Sequence, residues 1–152
     1  MAEPKELTLW HVRDYMTPNP QTLDVDNTLL DAALLLRRSE LRHIPILEEG
    51  RLVGVLTDRD VGRVAPSVLS HVSPQEYNRF FEETLLGKVM TRNPVSIAPE
   101  APLAEAVNLL YKNKLGCLPV LDGKSLIGII TVSDMLRALH DLISGPDSVE
   151  QG

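Results

Sequence analysis

Shifted by 74 positions, the chain matches itself. Residues 16–60 laid on 90–134 without a gap share 15 of 45 positions, among them Met16-Thr17, Asn19-Pro20, Pro45, Gly54, Thr57 and Asp60 on Met90-Thr91, Asn93-Pro94, Pro119, Gly128, Thr131 and Asp134. Pro, Gly, Thr and Asp punctuate backbone geometry, so their recurrence in register requires the same local fold twice. Two copies of one unit are expected to pack about a pseudo-twofold axis, each covering a face the other exposes. With 152 residues and 43% hydrophobic content, one compact domain, or two small halves sharing a core, fits better than two independent domains.

Within the first copy, Thr8 is placed to cap a short helix over 9–15, which Met16-Thr17-Pro18-Asn19-Pro20 then breaks. An extended piece follows at 21–23. Thr28 with Asp31 resembles a capping box, and Leu29, Ala32, Ala33, Leu35 and Leu36 continue with helical spacing. Leu41 to Leu47 and Leu52 to Thr57 predict two strands joined at Glu48-Glu49-Gly50. A short helix continues from Asp58 and stops at Pro66. In the connector, Ser73-Pro74-Gln75-Glu76 predicts a helix start with reciprocal capping. Its Tyr77, Phe80 and Phe81 are expected to pack on the nearer copy or to form an oligomer contact. The last helix is expected over 132–143, ending at Gly145-Pro146, with a disordered tail.

Charge and composition exclude several classes. A formal charge of -6 and a pI near 5.2 oppose nucleic-acid binding, which needs clustered cations. No apolar run is long enough to span a membrane, and the charged first residues lack a secretory core, so a cytoplasmic protein is expected. The lone Cys117 cannot form an internal disulfide and lies in an apolar run, where burial is expected. His11, His43, His71 and His140 are too dispersed for a metal site, and no metal is expected. There is no Gly-rich phosphate loop, Gly-x-Ser-x-Gly or nucleophile-base spacing, so no catalytic residue and no enzyme is expected.

Met-Thr-x-Asn-Pro, then apolar-Pro-apolar (Ile44-Pro45-Ile46, Leu118-Pro119-Val120), then Gly-apolar-apolar-Thr-x-x-Asp, twice in register, resembles a tandem pair of cystathionine-β-synthase (CBS) domains, a Bateman module. The resemblance covers about residues 9–143. It implies an α+β (α/β) fold of two pseudo-symmetric β-α-β-β-α repeats packed through sheets and helices, with repeat 1 at 9–72, a helical connector at 73–83, repeat 2 at 84–143 and a tail at 144–152. The connector resembles that of bacterial stand-alone CBS proteins similar to acetoin-utilisation proteins.

The same resemblance implies two clefts that hold adenosine derivatives (AMP, ADP, ATP or S-adenosylmethionine), a homodimer, and no required cofactor. Asp60 and Asp134 fall on the family's ribose-binding aspartate, with Thr57 and Thr131 near ribose or phosphate. Thr22, Ser96, Ile44, Pro45, Leu118 and Pro119 complete the implied ligand set. A carboxylate accepts from two vicinal hydroxyls at once, and a helix beginning after Thr57 presents N–H groups to an anion. Gly54 and Gly128 would let a base or backbone approach closely. Thr57 with Asp60 is equally what a plain helix start looks like. The copies differ, because Arg42-His43 becomes Gly116-Cys117 and Arg59 becomes Ser133. The first cleft is therefore expected to favour phosphorylated ligands. The function expected is a non-catalytic sensor that binds an adenine nucleotide and signals to an unknown protein partner. The alternative is a ligand-free dimerisation or interaction module.

Overall fold

The computed structural model describes residues 10–39, 41–66 and 71–145; the expected cap at Thr8 and the tail past Gly145 lie outside them. In chain order the elements are α1 (Val12–Tyr15), β1 (Thr17–Pro18), β2 (Leu23–Asp24), α2 (Leu29–Ser39), β3 (His43–Glu48), β4 (Arg51–Thr57) and α3 (Asp58–Val64). There follow α4 (Pro74–Glu83), a 3-10 turn at Leu86–Lys88, β5 (Thr91–Arg92), α5 (Leu103–Asn113), β6 (Cys117–Asp122), β7 (Ser125–Thr131) and α6 (Val132–Ser144).

Each copy's long strands form an antiparallel hairpin in the same register, Ile44 opposite Leu56 and Leu118 opposite Ile130. Both ladders slip at the equivalent place, after Ile46 and after Val120. Glu49 and Gly50 turn the first hairpin with φ of 51° and 80°, the twist that suits tight two-residue turns. Several helices start where a side chain caps them. Thr28 Oγ1 accepts from Asp31 N while Asp31 Oδ2 accepts from Thr28 N, which closes the expected box. Ser73 Oγ accepts from Glu76 N at 3.1 Å, one half of the expected reciprocal pair.

The chain divides into two compact units, one of residues 21–94 and one whose described residues are 10–20 and 95–145. The sheets follow this division and not the order of the copies. In the first unit the order is β2-β3-β4-β5, so Thr91 from the start of the second copy pairs with Val55. In the other it is β1-β7-β6, so Thr17 from the start of the first copy pairs with Ile129. The two cores use equivalent positions: Leu29, Ala32, Ile44, Ile46 and Leu56 in one, Leu103, Ala106, Leu118, Val120 and Ile130 in the other. Burying each leucine, isoleucine or valine among them contributes about 1.5–3 kcal/mol.

Phe81 of α4 belongs to the core of the 21–94 unit, and its ring meets Tyr77 tilted and Phe80 edge-on at centroid distances of 5.0 and 5.8 Å. The connector aromatics therefore pack against α2 of their own unit. Among the described residues, no helix is long and apolar enough to cross a membrane.

Candidate functional site

The Thr-x-x-Asp segments are the ends of β4 and β7 and the first turns of α3 and α6. Thr57 and Thr131 stay extended, with φ of -115° and -123°, as a β-branched residue leaving a strand prefers. Thr57 Oγ1 accepts from Asp60 N and Asp60 Oδ2 accepts from Thr57 N, both at 3.0 Å. In the second copy Asp134 Oδ2 accepts from Thr131 N at 2.8 Å and from Thr131 Oγ1 at 3.1 Å. Both are capping boxes, so each aspartate has a structural role that uses one oxygen.

The other oxygen points elsewhere. Asp60 Oδ1 lies 3.6 Å from the Arg63 guanidinium, and Asp134 Oδ1 lies 3.6 Å from Arg137. These distances are ion pairs without a hydrogen bond, which leaves lone pairs on Oδ1 for hydroxyl donors. Asp60 is only 4% exposed, the one buried charged side chain among the described residues. Sequence reasoning passed over Arg63 and Arg137, although the signal was present: they are 74 positions apart and continue the register of identities by three residues.

The two arginines are held differently. Arg137 donates to the Tyr15 carbonyl oxygen at 2.8 Å and lies over the Tyr15 ring, 5.1 Å from its centroid. The Tyr15 hydroxyl in turn donates to Asp141 Oδ2 at 2.7 Å. Burial, followed by that bond, pushes the phenol up to about 12. The position equivalent to Tyr15 is Val89, which offers Arg63 no ring.

The remaining expected residues sort cleanly by unit. Thr22, Arg42, His43, Ile44, Pro45, Gly54, Thr57, Arg59 and Asp60 fall in the 21–94 unit, and Ser96, Leu118, Pro119, Gly128, Thr131 and Asp134 in the other. Thr22 precedes β2, which runs parallel to β3, and Ser96 precedes Ile97, which bridges Val120 in the same sense. Ile44, Pro45, Leu118 and Pro119 are fully buried within their hairpins. His43 pairs with Thr57 across the hairpin. Burial holds its imidazole below the usual histidine range, with Arg42 acting in the same direction and Asp58 and Asp60 opposing. Arg42 is exposed, 3.9 Å from Asp58, at the rim of an open groove of about 800 Å3 that Arg37 also lines. Arg59 and Ser133 are exposed on the first helical turns.

Two expectations change in their physical basis. The space above Gly54 and Gly128 is filled from within: a Cβ on Gly54 would lie 2.5 Å from Met90 Sδ and 2.8 Å from the Thr91 carbonyl oxygen. On Gly128 it would lie 2.6 Å from Met16 Sδ and 3.1 Å from the Thr17 carbonyl oxygen. The close approach these glycines permit is that of the Met-Thr strands. The helix starts also offer an anion fewer amides than expected, because Asp58 N donates to Arg42 O, Val132 N to Gly116 O, and Asp60 N and Asp134 N to the capping threonines.

The comparison with known sequences decides what this twice-built arrangement belongs to: the chain matches the CBS domain over residues 12–66 and again over 86–141. The chain belongs to the CBS domain family. A CBS domain-containing protein of Dictyostelium discoideum is 36% identical over 133 residues, covering 84% of this chain and 90% of its own length. Among solved CBS-pair structures, CBSX2 in complex with AMP aligns with a TM-score of 0.75 at 27% identity, over 88% of this chain and 98% of that one. The CBS domain pair of MJ0100, in complex with 5'-methylthioadenosine and S-adenosyl-L-methionine, aligns with a TM-score of 0.71 at 25% identity, over 86% and 96%.

Proposed function

We propose that this CBS pair is a non-catalytic regulatory module that binds an adenine nucleotide, AMP, ADP or ATP, or S-adenosylmethionine, and signals its occupancy to a protein partner, working as a homodimer. The observation that carries this reading is the second oxygen of Asp60 and Asp134. A residue needed only as a cap is served by one oxygen, and here the other accepts no hydrogen bond from the described residues at the same place in both units. That is the acceptor a ribose diol uses. The adenosine compounds held by CBSX2 and by MJ0100 support the choice of ligand class.

The set around Asp60 takes the phosphorylated ligand in this reading. Arg42, His43, Arg59 and Arg63 stand there, whereas the other unit has Gly116, Cys117, Ser133 and an Arg137 already engaged by Tyr15. The Asp134 set is weaker, takes an uncharged nucleoside, or stays empty. Burial lifts the Cys117 thiol to about 12, so it packs as an apolar side chain and matches a reducing, cytoplasmic setting.

Calorimetry and thermal shift with AMP, ADP, ATP and S-adenosylmethionine test the proposal. Ligand at 100 times its dissociation constant stabilises the fold by about 2.7 kcal/mol. Silence from all four compounds would sink it in favour of a ligand-free interaction module. Asp60→Asn keeps an oxygen for the cap, so unliganded stability is expected to change by less than about 1 kcal/mol. Nucleotide affinity is expected to fall by about 1.5–3 kcal/mol as a charge-assisted bond is lost. Asp134→Asn in parallel is expected to matter less for phosphorylated ligands.

A further inference from the structure

Arg63 and Arg137 occupy equivalent positions beside equivalent aspartates, yet the charges around them differ in sign. Arg137 Nη2 donates to the Tyr15 carbonyl oxygen at 2.8 Å, the guanidinium lies 5.1 Å from the Tyr15 ring centroid, and Asp134 Oδ1 is 3.6 Å away. Tyr15 is itself tied down. Its hydroxyl donates to Asp141 Oδ2 at 2.7 Å, its ring lies 5.7 Å from that of Trp10, and Asp141 Oδ1 is 3.5 Å from His140 Nδ1. The Tyr15 hydroxyl, against some desolvation, and then His140 and Arg137 hold the Asp141 carboxyl below the usual carboxylate range, so it is ionised at neutral pH. Arg63 has no such frame. Its 3.6 Å approach to Asp60 is its one polar contact among the described residues, and the positions equivalent to Tyr15, Asp14 and Asp141 are Val89, Lys88 and Ser67. Arg137 with Asp134, Asp14 and Asp141 carries a formal charge of -2, whereas Arg63 with Asp60, Lys88 and Ser67 carries +1.

We infer that Tyr15 and Asp141 set the ligand specificity of the Asp134 set: by holding Arg137 and keeping its surroundings anionic, they make that set take an adenosine compound that carries no phosphate. The inference rests on the adenosine-binding reading above and selects one of the three outcomes it leaves for this set. An arginine grips a phosphate by bringing two N–H donors round to its oxygens, and a guanidinium fixed between a carbonyl, a ring and a carboxylate gives up that freedom. Asp141 then repels the phosphate charge that Arg137 does not meet. An uncharged ribose diol suffers no such repulsion and needs only the free oxygen of Asp134. Gly116 and Cys117, where the first unit has Arg42 and His43, supply no cation to reverse the balance. Tyr15 and Asp141 act through Arg137, so they are positioning residues.

Calorimetric titration of the full chain with adenosine and with AMP tests it, in an Asp60→Asn background that weakens the other set. The background is expected to bind adenosine more tightly than AMP. Asp141→Asn keeps an acceptor for the Tyr15 hydroxyl and removes the charge, and it is expected to raise the ratio of AMP to adenosine affinity by about 3-fold or more. Tyr15→Leu removes the ring and its tie to Asp141, and the expected rise is about 10-fold. Adenosine affinity is expected to stay within about 2-fold in both, a selectivity change that general loosening of the fold does not produce. If Tyr15→Leu does not stay folded, Asp141→Asn decides, because its side chain lies outside the core. A ratio that does not rise in a folded variant, a background that prefers AMP, or a background that binds neither compound overturns the inference and leaves nucleotide binding at the Asp60 set standing. A wild type silent towards adenosine, AMP, ADP, ATP and S-adenosylmethionine overturns the adenosine-binding reading along with it.

Discussion

His43 opens β3 opposite Thr57, with Arg42 before it and Asp58 across the turn, so it sits where the charges of the Asp60 set meet the buried hairpin. Its imidazole titrates below its unfolded value because burial disfavours the cation more than Asp58 and Asp60 favour it. The folded state therefore binds fewer protons than the unfolded one between the two values. Stability is full above the unfolded value, about 6.5, and is lost as pH falls towards the folded one. Between about pH 7.5 and pH 5 the wild type is expected to lose more thermal stability than His43→Gln, as read by melting curves at both pH values. Equal losses would mean that His43 is not a buried neutral group. Asp60 and Asp134 differ from His43 in having two tasks at once. Each closes a helix with one oxygen, and in the proposed function the same side chain offers its other oxygen to a ligand.

The hairpins show why the punctuating residues of the two copies recur. Met16 and Met90 lie across Gly128 and Gly54, and Asn19 and Asn93 turn the chain away with φ of 49° and 48°. Asparagine tolerates this left-handed geometry better than most residues. Asn19 N and Asn93 N then donate to the carbonyl oxygens of Ile127 and Val53. Met-Thr-x-Asn-Pro and Gly-apolar-apolar-Thr are thus two halves of one joint, separated in sequence and adjacent in each sheet. Gly54→Ala is expected to destabilise the fold by about 1–3 kcal/mol, since its new methyl meets a backbone carbonyl that cannot step aside. Gly128→Ala is expected to cost less, because the corresponding carbonyl is 0.3 Å farther away, 3.1 against 2.8 Å. Urea unfolding of both variants checks the order.

Because β1 belongs to the unit formed by residues 95–145, the first segment of the chain completes the last part of the fold. Val12 is fully buried in that unit's core, and its amide donates to the Ala101 carbonyl oxygen at 3.0 Å. Deleting residues 1–20 removes Val12, worth about 1.5–3 kcal/mol of burial, together with the β1 edge of β7. The amides of β7 are expected to lose hydrogen-exchange protection, while those of Gly54 and Val55, beside β5, keep theirs. Uniform loss across both sheets would contradict a division into two units. The same division sorts the surface chemistry of the chain. The cations gather in the unit that also carries the connector helix, and the exposed apolar side chains Tyr111, Leu136 and Ile143 lie in the other.

How much of this could be read without coordinates depends on whether a feature is local. The repeat, the hairpins, the helix starts at Thr28, Ser73, Thr57 and Thr131, and the family are legible along the chain, because caps, turns and alternating apolar runs act over three to eight residues. The sequence also marked Asp60 and Asp134, and through the register it held Arg63 and Arg137 in plain view. What each segment lies against emerges in the folded chain alone. Folding sent Met16-Thr17 to Gly128 and Met90-Thr91 to Gly54, gave the glycines their packing role, pinned Arg137 on Tyr15, and left one oxygen of each aspartate without a hydrogen bond from the described residues. The physical reason is that side chains some 36 to 126 residues apart meet only after the sheets have formed, and spacing along the chain does not encode which edge a two-residue strand will join.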